Sequence, residues 1–164
     1  MSFNLPNDII YEIIKHLPLK DLNNCSSINH QFNSVYKNDY LWKCKCENDI
    51  GKMDKLFNGN YYECYKRWYG LNKLIKVLKL SKTVGELLDC VELNLYNIRI
   101  VELPKEIGNL TNLKSIHCDS NQLTRLPIEL LNLHNLTYIY YSHNPIDYIP
   151  PNLQRFLEIG RAHV

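Results

Sequence analysis

The sequence predicts an α+β fold: three short N-terminal helices, a helical linker, and a short solenoid of repeats with parallel strands. Three observations lead there. Residues 5–42 place apolar side chains at helical spacing, residues 61–78 do so with an aromatic bias, and from residue 90 the chain repeats every 23 residues.

The first helix begins at Pro6, a residue tolerated at helix starts, and Asp8 faces the positive end of the helix dipole. Ile9, Ile13 and Leu17 fall at i, i+4 and i+8 with Ile10 and Ile14 alongside, so one wide face is apolar. Pro18 stops this helix. Asp21, Leu22, Cys25 and Ile28 mark a second helix, and Phe32 and Val35 a third. A unit of roughly 40 residues is at the edge of what folds without a disulfide, a metal or a partner. Its surplus apolar surface implies another protein.

From Leu5 to Lys43 the chain resembles an F-box. The resemblance rests on Leu5-Pro6, the Ile-rich first helix, Leu17, Asp21-Leu22, Phe32 and the closing Asp39-x-Leu41-Trp42. Asn29-His30-Gln31 replaces the more usual cysteine/basic step, and Cys25 fills a slot that ordinarily takes a larger apolar residue. The resemblance implies that residues 1–43 bind a Skp-type adaptor and, through it, a cullin. The residues it assigns to adaptor binding are Leu5, Pro6, Ile9, Ile10, Ile13, Leu17, Leu22, Phe32, Leu41 and Trp42.

Residues 44–79 read as a helical linker. Asn58-Gly59-Asn60 signals a turn. Beyond it Tyr61, Tyr65 and Trp68 share a helical face that continues into Leu71, Leu74, Ile75 and Leu78, as expected of a helix packing the N-terminal module against the repeats. The alternative, a basic-aromatic nucleic-acid surface, is rejected: Glu47, Asp54 and Glu63 dilute the charge, and a stacking platform also needs an open basic groove.

In steps of 23, Cys90 aligns with Leu113 and Leu136, Leu93 with Ile116 and Ile139, and Leu95 with Cys118 and Tyr141. Ile98, Asn121 and Asn144 follow, then Ile100, Leu123 and Ile146, and later Pro104, Pro127 and Pro150. A period in the twenties with L-x-x-L-x-L-x-x-N-x-L marks leucine-rich repeats. Each unit lays a short strand on a concave face, and the Asn then turns the chain, its amide satisfying backbone groups in the turn. The repeats occupy residues 80–157: a half-repeat cap at 80–89, where Leu80 to Leu87 mimics Leu103 to Leu110, then full repeats from 90, 113 and 136. Cys90 and Ile98 make the first full unit irregular, as expected near a boundary.

Strand side chains alternate faces, so the residues flanking the inward Leu and Ile positions point outward. They form the rows Glu92, Ser115, Tyr138; Asn94, His117, Tyr140; and Tyr96, Asp119, Ser142. This patch is polar and aromatic, and tyrosine offers large contact area at low entropic cost. It is the expected binding face for a protein substrate.

The remaining composition excludes several classes. A net charge of +2 gives no pull toward nucleic acid or membrane, no apolar run approaches the ~20 residues of a membrane span, and the first residues lack a signal-peptide pattern. Among six cysteines, Cys25, Cys90 and Cys118 sit in apolar pattern positions. Cys44-x-Cys46 with Cys64 is the one candidate metal cluster, and its spacing does not suit zinc. The six histidines are scattered without an activated serine or a carboxylate pair, and no phosphate loop or dinucleotide fingerprint is present. The expectation is a protein that is not an enzyme and takes no cofactor and no metal.

After Leu157 the pattern breaks. Glu158 to Val164 can be reverse-translated as GAG ATC GGA AGA GCA CAC GTC, which resembles a common sequencing-library adapter from its second base. Residues 158–164 are therefore expected to be a non-native tail, with further repeats in the genuine chain. Taken together, the sequence points to a substrate-recognition adaptor subunit of a cullin-type (SCF) ubiquitin ligase, in the cytoplasm with the nucleus also open to it. The alternatives are a leucine-rich-repeat interaction scaffold outside ubiquitin chemistry and an adaptor decoy.

Overall fold

The structure, a computed structural model, describes residues 5–28, 30–51 and 59–158, together with the backbone of Ala162–His163. The chain forms two compact units, residues 1–69 and 70–164.

The first unit contains α1 (Asn7–Ile14), α2 (Leu19–Cys25), α3 (His30–Tyr36), α4 (Asp39–Asp49) and the start of α5 (Tyr61–Val77). Pro6 precedes the first turn of α1, where its carbonyl accepts the Ile10 N–H. Pro18 does more than end a helix: it starts α2, its carbonyl accepting the N–H groups of Asp21 and Leu22, both at 3.0 Å. Ile28 lies beyond the end of α2 and is exposed. The unit has a fourth helix that runs straight through residue 43, where the sequence pattern had suggested a boundary. Two causes hold α4 together. The Asn38 side chain caps it by accepting the Tyr40 N–H at 2.8 Å. Leu41, Trp42, Lys45 and Cys46 then give it one continuous buried face, at i, i+1, i+4 and i+5.

Lys45 is the unexpected member of that face. Its side chain is buried, and its ammonium donates to the carbonyls of Lys15 and Leu17 at 2.8 and 3.0 Å. Lys15 is the C-cap of α1, at the negative end of the helix dipole where a cation is favoured, and Leu17 follows in the turn beyond it. Asp49, one turn further along α4, lies 3.4 Å from the same ammonium, and the Tyr65 ring of α5 lies beneath it. The Tyr65 hydroxyl donates to Asp49 at 2.5 Å, so three helices share one satisfied polar cluster.

Around it the aromatic residues interlock. Trp42 meets Tyr36 and Tyr62 edge-to-face at 5.3 and 4.8 Å, and its indole N–H donates to the Tyr36 carbonyl at 2.7 Å. The aromatic face read from residues 61–68 is thus largely taken up in packing: Tyr65 is buried and Tyr62 half-buried against Trp42.

The second unit begins within α5 and continues with α6 (Val84–Leu88) and three short parallel strands, β1 (Glu92–Asn94), β2 (Ser115–His117) and β3 (Tyr138–Tyr140). A two-residue strand, β4 (Ala162–His163), pairs with β3 at the edge. The register has the period found in the sequence: Glu92 lies opposite Ser115 and Ser115 opposite Tyr138. Where the solenoid was expected, the described residues form a small parallel sheet, connected by 3₁₀ turns at Lys105–Asn109 and Ile128–Asn132. The third connection contains a longer helix, α7 (Pro151–Glu158), which buries Leu153 and Leu157. The stretch expected to be a half-repeat is α6. Its Thr83 hydroxyl accepts the Glu86 N–H while the Glu86 carboxylate accepts the Thr83 N–H, a complete capping box. Those hydrogen bonds hold the Glu86 carboxyl below its usual range.

Inward positions fill one core: Leu93, Ile116 and Ile139; Leu95 and Cys118; Ile107, Leu130 and Leu153; Leu110 and Leu133. The residues at 97, 120 and 143 all adopt left-handed backbone, with φ of 52°, 55° and 55°. Each is followed by a demanding turn that side-chain amides satisfy. The buried Asn121 amide accepts the N–H groups of Ile98 and Ile100 at 3.1 and 3.2 Å and donates to the carbonyls of Leu95, Cys118 and Asp119. Asn144 accepts the Leu123 N–H and donates to Cys118, Tyr141 and Ser142. A second amide ladder, not read from the sequence, joins Asn112 to the Leu88 carbonyl and Asn135 to that of Thr111, both at 2.9 Å. At the first turn Ile98 replaces the amide and stays 40% exposed, and Asn121 of the next unit accepts from that turn just as Asn144 accepts from the one after it.

Two outcomes are expected. Lys45→Met keeps the apolar stem but strands two carbonyls, so urea unfolding followed through Trp42 should show a loss of about 2–3 kcal/mol. Asn121→Ala should cost the second unit about 2–3 kcal/mol, and Asn144→Ala less because that amide is only half-buried. Equal midpoints for wild type and Asn121→Ala would refute this account of the turns.

Candidate functional site

Two faces bring the sequence-predicted residues together, one in each unit. On the first, α1 divides its apolar residues between two sides. Ile10 and Ile14 point inward and are fully buried. Ile9 and Ile13, one turn apart, stand 44% and 49% exposed, with Leu5 at 38% and Pro6 also exposed. An exposed row of large aliphatic side chains is the arrangement that marks an interaction surface.

The other residues assigned to adaptor contact have a different place. Ile10, Leu22, Leu41 and Trp42 are buried among the helices, and Leu17 and Phe32 are half-buried. The burial of those four assigns them to the core that shapes the face, while Leu5, Pro6, Ile9 and Ile13 remain available. The pattern of spacing alone did not separate these roles, because the two sides of α1 carry the same residue type.

Gln31, which the sequence reading noted only as a departure from the family pattern, positions the entry to this face. Its amide donates to the Leu5 carbonyl and lies 3.4 Å from the Asn7 side chain, tying the Leu5-Pro6 segment to α3. Its neighbour Asn29 lies outside the described residues.

The second face is the outward side of β1–β3. Here the expected rows assemble: Asn94, His117 and Tyr140 lie side by side through the parallel register, as do Glu92, Ser115 and Tyr138. His117 stacks on Tyr140 with ring centres 4.4 Å apart and planes 14° from parallel. Tyr140 lies 6.4 Å from Tyr138 at 21°. The Glu92 carboxylate is 3.3 Å from His117 Nε2. In the third row Asp119 accepts the Ser142 N–H at 3.1 Å, Asn94 accepts the Tyr96 N–H at 3.0 Å, and Tyr96 is exposed.

Three of the thiols are buried in the cores beneath these faces. Burial pushes the Cys46 and Cys118 thiols up to about 12 and raises Cys64 as well, which makes all three poor nucleophiles at neutral pH. Among the described residues no group of His, Cys, Asp or Glu could hold a metal ion, and no helix is long and apolar enough to cross a membrane.

Comparison with known proteins bears on the first unit. No match to the chain is found among the curated proteins. The F-box-like family model matches residues 3–48, which includes nearly all of α4 and stops one residue before its end. Residues 3–48 of this chain form an F-box-like domain, a module that typically binds Skp-type adaptors and serves ubiquitin ligase complexes.

Proposed function

We propose that the protein is a substrate-recognition subunit of a cullin-type ubiquitin ligase. The F-box-like domain docks a Skp-type adaptor and, through it, a cullin. The second unit is a set of leucine-rich repeats whose strand face holds a protein substrate. Ubiquitin transfer itself belongs to the assembled ligase, so the chain is not an enzyme and works in the cytoplasm or nucleus without cofactor.

One observation carries the adaptor reading. The domain has filled its core with Ile10, Ile14, Leu22, Leu41 and Trp42, and it still presents Leu5, Ile9 and Ile13 to solvent. Folding does not need those side chains outside; a partner does. For the repeats, support comes from the 23-residue register of β1–β3, the left-handed residues at the same period, and the two amide ladders that link each turn to the next. A scaffold outside ubiquitin chemistry would share that second unit, and the adaptor arm of the test separates the two.

The test uses the full-length chain co-expressed with a Skp-type adaptor. Ile9→Asp with Ile13→Asp should weaken adaptor capture by about 100-fold or more, because each new carboxylate must be desolvated at the interface. Both positions are about half exposed, so the variant should keep its circular dichroism spectrum. Ile10→Asp should instead unfold the domain. Undiminished capture by the folded double variant would remove the adaptor reading.

A further inference from the structure

The outward face of the sheet has a definite chemistry. Its nine outward residues include three tyrosines, one histidine and two carboxylates, Glu92 and Asp119, and neither lysine nor arginine. The rings of His117, Tyr140 and Tyr138 are arrayed within about 20° of parallel from one neighbour to the next, with centres 4.4 and 6.4 Å apart. Tyr138, at the end of that series, is 43% exposed. The Glu92 carboxylate stands at the other end, beside His117. Asp119 is held in place by the Ser142 N–H, which engages one carboxylate oxygen.

A stacked aromatic series with an exposed ring at its end and carboxylates nearby suits a planar cation. Guanidinium stacks on aromatic faces and forks onto carboxylates, whereas an ammonium behaves as a compact, strongly hydrated point charge. Nucleic-acid phosphates would meet Glu92 and Asp119 without a lysine or arginine in these rows to neutralise them.

We infer that this face recognises an arginine-bearing segment of a partner protein, a guanidinium lying against Tyr138 and Tyr140 while Glu92 and Asp119 give the surrounding face its negative charge. The inference rests on the reading of this face as the substrate-holding surface, and it specifies the class of substrate.

Calorimetric titration of the full-length chain tests it with four probes: a short peptide alternating arginine with glycine, its lysine and glutamate counterparts, and a single-stranded DNA of similar length. The arginine peptide should bind saturably and several-fold tighter than the lysine peptide, with no binding of the glutamate peptide or the DNA. Tyr138→Ala should weaken it about tenfold. Glu92→Gln, at an exposed position that tolerates the change, should weaken it several-fold and flatten its salt dependence. Absence of saturable arginine-peptide binding, equal binding of the glutamate peptide, tighter binding of the DNA, or indifference to both substitutions would each overturn the inference. Adaptor capture is measured on the same preparations. If the peptide fails while the adaptor binds, only this inference falls; if the adaptor fails, the proposed function falls whatever the peptide does.

Discussion

The Asn121 side chain serves five backbone groups at once, on two successive turns of the chain. The need for such a group follows from the length of the strands. Each is three residues long, so most of the backbone between one strand and the next lies outside the sheet ladder and must find other partners as it passes the core. A primary amide is suited to this because it donates twice and accepts twice in a compact planar group. Asn144 repeats the solution one unit later, and Asn112 and Asn135 each donate to one carbonyl of the preceding unit on a second line. Apolar contacts supply the bulk of the burial, but the amides decide which register that burial adopts.

The F-box-like domain meets the same constraint with a charge. The exposed C-terminal carbonyls of a helix as short as α1 are a liability once other helices pack over them. Lys45 reaches across from α4 and satisfies the one at the Lys15 cap together with the Leu17 carbonyl just beyond, and Asp49 and Tyr65 complete its surroundings. The cost of burying an ammonium is offset because every element of the cluster has a partner. This in turn lets α1 turn one side to the core and leave Ile9 and Ile13 outside, so the exposed apolar row depends on a lysine that does not belong to it.

Repetition made one half of the structure legible in the sequence. Asn121 and Asn144 are assigned to turns by spacing alone, because their period matches that of the apolar residues around them. The strand residues Glu92, Ser115 and Tyr138 could be placed in one row for the same reason, and the paired register agrees. Features without a second copy stayed hidden. Lys45 sits between two cysteines that drew attention as metal ligands, and nothing local distinguishes a buried lysine from a solvated one. The two sides of α1 are both isoleucine, so periodicity marked them as apolar without saying which would meet the core. The Thr83-x-x-Glu86 pattern did carry a helix-start signal, but the likeness to Leu103–Leu110 competed with it and pointed to a half-repeat.

The constancy of the strand spacing bears on how such a chain can change length over generations. Adding one residue inside a strand would exchange its inward and outward sides, setting Tyr140 in the core and Ile139 in solvent. Single insertions must therefore be absorbed in the connections that carry the 3₁₀ turns, away from the amide-held bends. Deletion of residues 95–117 as a block is different, since Glu92 would then face Tyr138 much as Ser115 does now, with Asn144 still serving the bend that holds Leu123. Gain or loss of whole 23-residue blocks would lengthen or shorten the outward face of the sheet by one strand without exchanging its two sides, so such a lineage could resize that face without refolding its core.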